Sequence, residues 1–77
     1  MTWTARIARI GPAFGGVIDV GLDITNGKDT FQQHILAESD ATDEDIRRMV
    51  RDTLRALAPS LDGAASHDHL IGTEETA

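Results

Sequence analysis

The chain has 77 residues, with 13 acidic and 7 basic side chains, a formal net charge of −6 and no cysteine. That length allows one domain with a small core, the lack of cysteine excludes disulfides, and the acidic balance works against unspecific attraction to nucleic acid or anionic lipid. No stretch approaches the ~20 apolar residues of a membrane span, and MTWTARIARI lacks the apolar run of a secretory signal, so cytoplasmic synthesis is expected.

Residues 2–10, TWTARIARI, place Trp3, Ala5 and Ile7 on one parity and Thr4, Arg6 and Ala8 on the other, the period-two pattern of a strand. Residues 11–16, GPAFGG, hold three glycines and a proline and read as a loop. The outer glycines have the spacing of a phosphate-binding loop. However, Val17 stands where the lysine belongs and a strand follows in place of a helix, so the glycines serve a turn.

Between Val17 and Ala37 two strands are joined at Asn26-Gly27, a strong short-range hairpin signal. Ile18, Val20, Leu22 and Ile24 alternate with Val17, Asp19, Gly21, Asp23 and Thr25. With Asn26 and Gly27 as a two-residue loop, Leu22 faces Phe31, Val20 faces Gln33, Ile18 faces Ile35 and Asp19 faces His34. The six-residue first loop likewise sets Ile10 opposite Val17 and Trp3 opposite Ile24. The expected sheet is an antiparallel meander in the order 1-2-3.

Thr42 followed by Asp45 approximates a capping box, and Asp43, Glu44 and Asp45 place negative charge at the positive end of a helix. Ile46, Val50, Leu54, Leu57 and Leu61 then form one apolar stripe at helical spacing, with Met49 and Thr53 beside it. Pro59 is expected to end the helix near Ala58. The fold class is therefore α+β, a three-stranded antiparallel meander with one C-terminal helix packed on one face (βββα). Residues 1–61 make a single domain and 62–77 a flexible acidic tail, whose one apolar feature is Leu70-Ile71.

No recognisable nucleophile motif joins a serine, a histidine and an acid, and no catalytic residue is assigned. His67-Asp68-His69 falls short of the four converging ligands of a structural zinc site, so neither metal nor cofactor is expected. On the helix Arg48, Arg51 and Arg55 share a side with Arg47 nearby; contact with nucleic-acid phosphates is the alternative reading, set against neutralising acids four residues away. The leading candidate is a protein contact. Ile10, Val17 and Leu36 are expected in one cross-strand row facing away from the helix, next to the loop that carries Phe14, with both outer strand edges open to strand addition. A non-enzymatic interaction module that self-associates or joins a larger assembly follows.

The stretch GPAFGGVIDVGLDITNGKDTF followed by ATDEDIRRMVRDTLRAL, in a cysteine-free acidic chain with a loose end, resembles the small β-rich structural proteins of tailed bacteriophage particles. The resemblance spans residues 3–58 as a style of sequence and transfers no site residue. It implies a virion or assembly role in many copies, in which neighbours hold a marginal domain.

Overall fold

A computed structural model describes residues 2–77. Strands β1 (Thr4–Pro12), β2 (Val17–Thr25) and β3 (Thr30–Glu38) form one antiparallel sheet in the order β1-β2-β3, followed by helix α1 (Asp43–Ser66) and a short 3-10 turn at Asp68–Leu70. This is the expected βββα layout, with β2 at the centre. Val20, Leu22 and Ile24 of β2 are fully enclosed between the sheet and α1. Full burial of such a side chain stabilises by about 1.5–3 kcal/mol, so the central strand carries the core.

The helix closes over that face with Ile46, Val50 and Leu61 buried and Met49, Leu54, Leu57 and Ala65 packed partly against them. Its start is a complete capping box: the Asp45 N–H donates to Thr42 Oγ1 at 3.1 Å and the Thr42 N–H donates to Asp45 Oδ2 at 3.1 Å. Two of the donors that every helix leaves unpaired at its start are thereby satisfied.

Pro59 does not end the helix, as its sequence position suggests it should; α1 runs on to Ser66 for 24 residues in all. Proline forfeits one hydrogen bond and crowds the preceding turn, a cost of about 3 kcal/mol. Contacts beyond it offset that cost. Leu61 is buried, Ala65 packs on the core, and the Trp3 indole N–H donates to Asp62 Oδ1 at 2.6 Å. The boundary expected between residues 61 and 62 is therefore crossed by continuous helix, and the first part of the expected flexible tail, Asp62 to Ser66, belongs to α1. At about 1.5 Å per residue the helix is roughly 36 Å long, longer than a nine-residue strand at roughly 30 Å.

The β2–β3 connection is a four-residue turn, Asn26 to Asp29, in place of the expected two-residue loop, because Thr25 pairs with Thr30. Asn26 Oδ1 accepts from the backbone N–H of Lys28 at 2.9 Å and of Asp29 at 2.7 Å, and Thr25 Oγ1 donates to the Asp29 carbonyl at 2.8 Å. Only Gly27 takes a positive φ, 94°, whereas the tight two-residue turn needs it at both positions. The register consequently shifts by two, and Ile24 faces Phe31, Leu22 faces Gln33 and Val20 faces Ile35. A shift of two preserves parity. Phe31 and Ile35 thus stay on the helix side, as expected, and Phe31 meets Trp3 with ring centroids 5.9 Å apart.

In β1 the register changes between Ile7 and Arg9, so Ala8 forms a bulge. One extra residue reverses parity beyond it. Ile7 pairs with Leu22 and Ile10 with Val20, which places both isoleucines on the helix side, while Arg6 pairs with Asp23 and Arg9 with Gly21 on the outer side.

Candidate functional site

The bulge breaks the expected outer row. Ile10 does not stand with Val17 and Leu36; it lines a shallow groove beside the start of α1 with Ile7, Ile46, Asp43 and Arg47. Val17 and Leu36 do share the outer face, on a diagonal, since Val17 pairs with Glu38 and Leu36 with Asp19. Leu36 is 62% exposed and Phe14, in the β1–β2 loop, is 100% exposed. That loop is tied to the same end of the sheet: the Ser39 N–H donates to the Gly16 carbonyl at 2.9 Å and the Ala13 N–H to the Val17 carbonyl at 2.9 Å. Gly15 and Gly16 turn the chain with φ of 75° and 72°, a backbone that side chains disfavour.

Around this corner lies a groove of about 610 Å³ where the end of β3 turns into α1, lined by Val17, Leu36, Ala37, Ala41 and Met49 with Glu38, Asp40 and Asp45 among its polar groups. The lining thus joins apolar side chains to three carboxylates. Asp45 is committed elsewhere: the Thr42 backbone N–H, the Thr42 hydroxyl and Arg48 hold its carboxyl below the usual range.

The rest of the outer face is polar. Arg6 pairs with Asp23 at 2.9 Å, and His34 meets Asp19 at 3.0 Å. The histidine lies opposite Gly21 and reaches Asp19 diagonally, so the expected partnership forms in a different register. Gly21 is buried beneath the Arg9 side chain, and a Cβ there would fall 2.6 Å from Arg9 Nη2. Sequence reasoning missed this cover because it rests on the bulge that turns Arg9 outward.

The two sheet edges are not equivalent. Strand β1 carries the bulge and ends in Pro12, both devices that blunt an edge against strand addition. Strand β3 pairs with β2 without interruption from Thr30 to Glu38 and contains no proline. The expectation of two open edges therefore narrows to β3.

Of the arginines considered for phosphate contact, each holds an acid on its own helix: Arg48 with Asp45, Arg51 with Glu44 at 2.7 Å, and Arg55 with Asp52 at 3.7 Å. These pairs differ from the expected four-residue spacings, since Arg51 reaches back seven residues to Glu44. Arg51 holds the Glu44 carboxyl below its ordinary range. Such exposed pairs add little stability, yet they commit the positive charge of this face.

At the opposite end of the sheet, a second depression of about 530 Å³ lies between the β2–β3 turn and the end of α1, lined by Lys28, Asp29, Asp62, Ala65, Ser66, Asp68 and His69. Here the Asp68 carboxyl, hydrogen-bonded to Asp29 and repelling its charge, raises the Asp29 carboxyl above the usual range. The His67 and His69 rings lie 6.4 Å apart. Among the described residues no group of three or more histidine, cysteine or acidic side chains is placed to hold a metal ion, and no helix is long and apolar enough to cross a membrane.

The fold and this corner define an α+β chain with one sheet face uncovered by the helix. Compared with known proteins, the chain matches no family model, no curated protein and no solved structure.

Proposed function

We propose that this chain is a non-enzymatic structural or protein-interaction module that meets its partners through the outer corner formed by Phe14, Val17 and Leu36 and through the free edge of β3. The observation that supports this most is the exposure of Leu36 on the outer face and of Phe14 in the β1–β2 loop, at the end of the sheet that also carries the groove lined by Val17, Leu36 and Met49; Ile10, Leu70 and Ile71 are exposed elsewhere. Contiguous exposed apolar groups rimmed by polar ones suit a protein contact. In its finer form the proposal is a multi-copy role in a bacteriophage virion, assembled after cytoplasmic synthesis, and this rests on the resemblance of sequence alone.

The test is the double substitution Val17→Ser and Leu36→Ser. Association of the purified chain with itself, or with proteins produced alongside it, weakens while the far-ultraviolet circular dichroism stays that of the unchanged fold. Association equal to that of the parent chain would remove the outer corner as the contact. Should nucleic acid be the partner instead, affinity falls steeply with salt and is lost on changing Arg48, Arg51 and Arg55 to glutamine.

A further inference from the structure

Strand β3 has β2 on one side and, among the described residues, no strand on the other. Its nine residues therefore turn alternate backbone N–H and C=O groups away from the sheet, a row that an added strand would pair. Two depressions lie between this strand and α1, one at each end of β3. Near Thr30, about 230 Å³ is lined by Phe31, Gln33, Leu57, Leu61 and Ala64, with no charged residue in the lining. Near Glu38 is the groove of about 610 Å³, where Ala37, Ala41 and Met49 stand beside Glu38, Asp40 and Asp45.

Phe31 and Ala37 lie six residues apart on the helix side of β3, a span of roughly 20 Å. A strand laid on the edge sets two of its own side chains opposite these, six positions apart on one face, so that each reaches one depression.

The two ends suit different side chains. Asp45 is held by Thr42 and Arg48. Glu38 and Asp40 form no ion pair among the described residues, and neither lysine nor arginine lines their groove. A second copy of β3 supplies no base there, since its one formally charged side chain is Glu38, and a chain at −6 is repelled as a whole.

We propose that the β3 edge takes an extended segment of a partner protein as a fourth strand. That segment sets an apolar side chain over Phe31 and Leu57. Six positions away it lays the stem of a lysine or arginine along Ala37 and Met49, with the cationic head at Glu38 and Asp40. This rests on reading the β3 edge as a protein contact and adds the chemistry of what binds.

The experiment is titration of the purified chain with a labelled nine-residue probe of alternating threonine and valine, followed by fluorescence polarisation. For antiparallel pairing the probe carries lysine at its second position and leucine at its eighth. The lysine probe binds about tenfold or more tightly than the same probe with glutamate in place of lysine, and added salt narrows the gap. Glu38→Gln with Asp40→Asn, both at exposed positions, abolishes the preference while circular dichroism stays that of the parent. One N-methyl group on either of two neighbouring central residues of the probe separates backbone pairing from simple adhesion, because only one of the two N–H groups faces β3. One methylated probe loses binding about tenfold or more and the other keeps it.

No binding, or equal effects of the two methyl positions, overturns strand addition; equal affinity for the lysine and glutamate probes overturns the basic partner. A dimer in sedimentation that the lysine probe dissociates places a second β3 on the edge and likewise overturns it. If the probes fail to bind and Val17→Ser with Leu36→Ser still weakens association with another protein, strand addition falls and the outer corner remains the contact.

Discussion

The Trp3 indole donates to the Asp62 carboxylate at 2.6 Å, joining residues 59 positions apart and fastening the entry to β1 onto the last turns of α1. Trp3 is itself 8% exposed, so one side chain both fills the core and positions the helix beyond Pro59. The Trp3→Phe variant keeps an aromatic ring but loses the donor. It is expected to lower unfolding free energy by about 1.5–3 kcal/mol, the range of hydrogen bonds to charged groups. Amide exchange should accelerate more in residues 60–66 than in 43–58, and equal acceleration would show that the bond does not hold the helix end.

Pro59 lies inside a helix whose later turns are held by packing, so the proline itself is a residual cost. Pro59→Ala restores the missing N–H and removes the ring's clash, with an expected gain of about 1–3 kcal/mol in chemical denaturation. A loss of stability would mean that the proline itself is needed to seat Leu61.

The capping box predicts a stability loss at one end and a pH dependence at the other. Thr42→Ala is expected to cost about 1 kcal/mol. Asp45 titrates lower in the folded chain than in the unfolded one because Thr42 bonds its carboxylate. Its contribution is therefore present above the ordinary carboxylate pKa and lost as pH falls through the lowered folded value. Asp45→Asn should flatten that acid limb in denaturation curves measured across the acidic range.

The Asp29–Asp68 pair has the opposite sign. Asp29 is raised in the folded chain, chiefly by its bond with Asp68, with smaller opposing effects of Lys28 and Asn26. Its contribution is present below the ordinary carboxylate pKa and lost as pH rises through the raised one. Asp68→Asn removes the repulsion. The variant should gain stability over the parent at neutral pH and lose that advantage in acid; a pH-independent difference would contradict the pairing.

The sheet order, the core face of β2 and the capping box were legible because each rests on local periodicity or a short motif. The apolar stripe from Ile46 to Leu61 was equally readable. What escaped was set by single residues acting against a local rule. Asn26 took a side-chain-bonded turn where Asn-Gly more often makes a two-residue loop, shifting the register while leaving parity intact. Pro59 was overruled by Leu61, Ala65 and a bond from Trp3, which no local reading contains. The bulge at Ala8 did leave a trace in the sequence: the apolar spacing of β1 runs Ala5, Ile7, Ile10, two and then three, with arginine at 6 and 9. A broken period of that kind moves Ile10 off the outer face and Arg9 onto it. The expected outer row thus keeps Val17 and Leu36 together on one face and loses Ile10 to the other.

The proposed function is contact with a partner through the corner that carries Val17 and Leu36. Its most direct test is the sedimentation mass of the purified chain, alone and together with the proteins produced alongside it. A mass above the 8.3 kDa of one copy in at least one of these settings, returning to one copy when Val17 and Leu36 become serine, is the expected result. A single-copy mass in both settings across the concentration range contradicts it.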